Sequence, residues 1–131
     1  MRELPPIEIL DRDEPEDELP DGVVRAHEEG HLDAIERFFP GVRAAIDGDV
    51  TVYIDGPNKV DLKDRDAVLR FAAVCLAGAR AEAIWRRRRG LPMAIKPCCG
   101  YDRLNVRAMC AAGGYDADEI EAAAWQLLAF D

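Results

Sequence analysis

The only two histidines of the 131-residue chain stand four residues apart, at His27 and His31, and that spacing constrains the fold more than any other feature. On a helix, residues i and i+4 lie one turn apart on the same face, about 6 Å from each other, so both imidazoles can reach one ion. The surrounding sequence has helical periodicity: Val24, His27, His31, Ile35 and Phe38 recur at spacings of three and four. This is therefore the apolar, inward face, where two unpartnered histidines would be costly. Glu28 is one residue from the first histidine, so it projects beside an ion rather than onto it. The H-E-x-x-H pattern predicts a helix that holds Zn2+ through two imidazoles. Glu28 is then placed to take a proton from water as that water attacks a carbonyl.

The rest of the chain reads as a mainly helical α+β domain with a small sheet. Residues 1–21 are proline-spaced and acidic and bury little apolar surface, so they are expected to form a flexible arm, with residues 7–10 able to add a short edge strand. Residues 22–131 form the expected domain. Its first helix starts near Gly22, with Asp21 as a cap, and stops at Pro40 and Gly41. Residues 50–54 (VTVYI) are β-branched and bounded by turn residues, as in a strand. Residues 42–46 fit either a partner strand or a turn of helix. A second helix is expected from about Asp64 to Arg88, with Val68, Phe71, Ala72, Cys75, Leu76 and Ala79 as its apolar stripe. A third runs from Asp102 to Ala112 before Gly113 and Gly114. A fourth is capped by Asp116, with Glu119 completing a capping box and Ile120, Ala124, Leu127 and Leu128 facing inward.

Two imidazoles do not complete a catalytic zinc shell, and a third protein ligand is expected. Two carboxylates compete for the role. Glu82 lies on the apolar stripe of the second helix, where its alternative is a buried hydrogen bond to backbone or to an arginine. Asp102 starts the third helix, where its alternative is a cap.

Three segments in order, His27-Glu-x-Gly-His31, then residues 76–82 (LAGARAE), then Gly100-Tyr-Asp102-Arg-Leu104, resemble the peptidase domain of the FtsH-type (M41) zinc metalloproteases over roughly residues 22 to 110. The resemblance implies a zincin-like fold and amide hydrolysis. It makes His27, His31 and Asp102 the ligands and Glu28 the base, with Glu82 orienting a ligand. In such a peptidase a strand carrying Val50, Val52 and Ile54 would bind extended substrate through main-chain hydrogen bonds. The chain departs from the family in lacking a G-x-x-x-x-G-K-[ST] phosphate loop, in having Tyr101 where asparagine is usual, and in carrying the arginine of the second motif one place later. Its substrate would therefore be a peptide or an already flexible protein segment, and a separate ATPase or regulatory protein would be its partner. The alternative of another class is a non-catalytic acidic binding or inhibitor protein built on the same zinc-binding scaffold.

Charge narrows the partners. With 26 acidic and 17 basic residues the chain carries a net charge of -9, which opposes binding to duplex nucleic acid or to anionic membranes. No apolar run approaches the roughly 20 residues of a membrane span, and no secretory signal pattern is present. The four cysteines, two of them adjacent at Cys98 and Cys99, fit reduced thiols in a cytoplasmic protein better than a disulfide framework. Either adjacent thiol could supplement or replace the carboxylate on zinc. The run Arg86 to Arg89 is expected at the negative end of its helix dipole, its aliphatic stems covering apolar surface, with contact to nucleic acid or an acidic partner, or pairing with the acidic arm, as the alternatives.

Overall fold

A 24-residue helix with a central run of small and apolar residues organises the molecule, and the other helices pack around it. The structure is a computed structural model that describes residues 22–47, 50–55, 60–91 and 100–129. In chain order the elements are α1 (Val23–Phe38), β1 (Arg43–Asp47), β2 (Val50–Asp55), α2 (Arg65–Arg88), α3 (Gly100–Gly113) and α4 (Ala117–Ala129). The chain is mainly helical. The acidic segment 1–21, including the expected cap Asp21, and the pair Cys98 and Cys99 lie outside the described residues.

Helix α2 starts where the Asp64 carboxylate accepts hydrogen bonds from the backbone N–H groups of Asp66 (3.0 Å) and Ala67 (3.3 Å), satisfying donors that the first turn cannot pair internally. At about 1.5 Å per residue it is ~36 Å long. Every residue from Ala72 to Ala79 is buried, so α2 is enclosed on all sides along this stretch rather than along a single stripe. Helices α1, α4 and α3 each pack against it. Alanine and glycine make this possible, because small side chains let neighbours approach on several faces at once. At the α1–α2 crossing a Cβ on Gly30 would stand 2.5 Å from Ala81 Cβ and 2.6 Å from the Ala77 carbonyl oxygen, so only glycine fits there. The glycine of the H-E-x-G-H motif is thus a packing residue.

The core lies between these helices and is filled by Ile35, Val68, Leu76, Val106, Ile120 and Leu128 among others. Strands β1 and β2 form a two-stranded antiparallel sheet, Ala44 opposite Tyr53 and Ala45 opposite Val52, with an irregularity between Arg43 and Ala44. It packs on α1. Residues 43–47 therefore adopt the strand alternative. Helix α1 begins from Gly22 with no side-chain cap. Helix α4 has the expected Asp116 cap, which accepts from the N–H groups of Asp118 and Glu119. Glu119, however, turns its carboxylate to Arg65 at 3.4 Å, so the reciprocal half of the capping box is replaced by a link to α2. No helix among the described residues is long and apolar enough to cross a membrane.

Candidate metal centre

The antiparallel crossing of α1 and α2 turns His27 and His31 inward, where they are 1% and 8% exposed. Their rings meet edge to face with centroids 4.7 Å apart. Helix α3 begins at Gly100, two residues earlier than its sequence suggests. Asp102 therefore lies within the first turn, and its side chain turns toward α1. Its Oδ2 lies 3.1 Å from His27 Nε2 and 3.0 Å from His31 Nε2, and the two Nε2 atoms are 3.0 Å apart. Three ligand atoms from residues 27, 31 and 102 thus converge, and this group could hold a metal ion.

The other ring nitrogens decide what the converging atoms carry. His31 Nδ1 lies 2.7 Å from the Val74 carbonyl oxygen, which can only accept, so Nδ1 bears the hydrogen. His27 Nδ1 lies 3.2 Å from Glu82 Oε2, and a carboxylate likewise accepts. With both Nδ1 atoms donating, each neutral ring presents a lone pair at Nε2, and Asp102 adds another. Three acceptors about 3 Å apart repel one another unless a cation or a proton stands among them.

Without an ion that role falls to a proton. Burial pulls the His27 pKa down, but hydrogen bonds to Asp102 and then Glu82, with the charges of both, outweigh it and raise the pKa to about 9. Burial would raise the Asp102 pKa, yet its contacts with His27 and His31 hold it below the ordinary carboxylate value. A divalent cation satisfies the same three atoms with the Nδ1 hydrogen bonds intact, which is the usual arrangement around metal-bound histidines.

Gly78 on α2 keeps the space open. A Cβ there would stand 2.5 Å from both Nε2 atoms. Glu82, one turn further along, has its Oε2 on the Nδ1 side of His27, away from the point of convergence. Its Oε1 faces the buried Arg86 guanidinium at 3.7 Å. Glu82 thus has a buried ion pair with Arg86, longer than the hydrogen bond to an arginine that its sequence position suggests, together with its contact to the histidine. Arg86 is 2% exposed, whereas Arg87, Arg88 and Arg89 are exposed. Burial of a carboxylate requires a counter-charge, and on a helix the position four residues on supplies one.

The structure brings together His27, His31 and Asp102, with Glu82 behind His27. Glu28 is half-buried on α1 directly after His27. Val50, Val52 and Ile54 stand at alternate positions of β2. Among the described residues β2 pairs only with β1, leaving its other edge without a strand partner. Gly78, Arg86 and the Val74 carbonyl were not identifiable as site components from sequence, although the i, i+4 spacing of Glu82 and Arg86 was a usable signal. No protein-family model, no curated protein and no solved structure matches the chain.

Proposed function

We propose that the chain is a zinc-dependent peptidase of zincin-like architecture that hydrolyses amide bonds in peptides or flexible protein segments. The observation that carries this reading is the convergence of His27 Nε2, His31 Nε2 and Asp102 Oδ2 within 3.1 Å of one another, beside a glutamate one residue from the first histidine. Two imidazoles and one carboxylate suit Zn2+ and leave a coordination position for chemistry. When bound, zinc supplies Lewis acidity toward water and toward the scissile carbonyl. Glu28 takes a proton from the attacking water as its oxygen bonds to the carbonyl carbon. The same carboxyl then gives that proton to the amine nitrogen as the C–N bond breaks. Glu82 accepts from His27 Nδ1 and holds the ring in the tautomer that ligation needs, while the Val74 carbonyl does the same for His31. The open edge of β2, carrying Val50, Val52 and Ile54, would pair with an extended substrate.

A second reading is favoured by one observation: a groove of about 450 Å3 in the described structure is lined by none of the centre's residues. On that reading the chain is a non-catalytic acidic binding protein that keeps the metal as a structural tie. Glu28→Gln separates the two. A peptidase retains zinc in this variant and loses hydrolysis of a flexible substrate such as casein by about 10²–10⁴-fold. Unchanged cleavage, or no cleavage by the zinc-loaded wild type, contradicts the peptidase reading.

A further inference from the structure

The groove of about 450 Å3 runs along the α1–α2 contact. Arg37 of α1 and Arg80, Arg88 and Arg89 of α2 line it, together with the acids Glu29 and Asp33. With four arginines to two carboxylates the wall is basic on balance, in a protein whose net charge is -9. Arg88 and Arg89 are exposed, and Arg89 lies over the Trp85 ring, its guanidinium carbon 4.1 Å from the ring centroid. A basic, partly apolar groove on an acidic protein is complementary to an acidic peptide.

The chain has such a peptide immediately upstream. Residues 11–21 (DRDEPEDELPD) contain seven carboxylates and one arginine. They join the described structure at Gly22, where an added Cβ would stand 3.3 Å from Trp85 Cζ2, and Trp85 itself lines the groove. The segment is therefore tethered at the end of the groove where Arg88 and Arg89 stand. Its eleven residues can reach about 36 Å when extended, whereas the lining stretch of α2 from Ala77 to Arg89 spans only about 18 Å. Exposed ion pairs are individually weak, but tethering raises their effective concentration.

We propose that the acidic segment 11–21 docks within its own chain in this arginine-lined groove. The inference is independent of the peptidase reading, since no ligand of the metal centre lines the groove. Arg88→Lys keeps the charge and adds an amine that a carbodiimide can couple to a nearby carboxylate. In the full chain the expected product is an intramolecular cross-link from position 88 to an acidic residue within 11–18, suppressed several-fold by about 0.5 M salt. Cross-links from position 88 only to Glu29 or Asp33, or only between two chains, overturn the proposal. As a second measurement, Asp11, Asp13, Glu14, Glu16, Asp17 and Glu18 are replaced together by Asn or Gln. The side-chain Nε–H resonances of Arg88 and Arg89 should move, while those of Arg103 and Arg107 on α3 stay in place. Unmoved Arg88 and Arg89 signals contradict docking.

Discussion

At the scale of single residues, Gly78 offers the sharpest contrast between local and tertiary preference. In a helix interior alanine is favoured over glycine by about 1 kcal/mol, so Gly78→Ala would stabilise an isolated α2. In the folded chain the added methyl would stand 2.5 Å from both imidazole Nε2 atoms, in the space where the three acceptors converge. The expected outcome is a folded protein with at least ~10-fold weaker zinc binding, measured by competition with a chromophoric chelator. Unchanged zinc affinity would show that the space beside Gly78 is not the ion's. Cys75 gives a second residue-level prediction. Burial, and after it the charge of Asp102, push its thiol up to about 12. Only the thiolate is nucleophilic, so alkylation of native Cys75 at pH 8 should be at least ~10²-fold slower than in the denatured chain. Mass spectrometry of timed iodoacetamide reactions checks this.

At the scale of elements, α2 shows what periodicity conveys and what it leaves out. Its extent was legible, because a long apolar stripe is a local signal. Its burial on all sides through Ala72 to Ala79 was not, since alanine and glycine fit either an exposed or an enclosed face. The pair of histidines was legible for the opposite reason: a four-residue spacing on a helix is itself geometry. Asp102 lies 71 positions beyond His31, and no local pattern separates it from Glu82. The choice depends on which side of the imidazole each carboxylate meets, which only the packing of α2 and α3 against α1 decides. Which arginine of the run is buried was not legible, because four adjacent identical residues carry no signal that singles out Arg86. In the fold it lies against Glu82. Arg86→Met would leave Glu82 as a buried carboxylate without that counter-charge, at a cost of about 3–5 kcal/mol. Urea denaturation should show this loss, and the double variant Glu82→Gln with Arg86→Met should recover part of it.

At the scale of the molecule, the candidate centre ties together parts of the chain that are far apart in sequence. His27 and His31 come from α1 and Asp102 from the first turn of α3, with α2 as the backing. Salt bridges from Arg103 and Arg107 to Glu121 and Asp118 then join α3 to α4. A ligand that binds only the folded state stabilises it by mass action. Zinc at about 100 times its dissociation constant should therefore raise Tm by about 10 °C, and a chelator should reverse the rise.

The most direct test of the central claim is zinc-edge X-ray absorption on the full chain loaded with one equivalent of zinc. The account predicts one ion bound per chain by two imidazole nitrogens and a carboxylate oxygen at about 2.0–2.1 Å, with no sulfur, and loss of that signature in both His31→Ala and Asp102→Asn. Failure to retain zinc against a weak chelator, a sulfur ligand in the shell, or a spectrum unchanged by Asp102→Asn would contradict it.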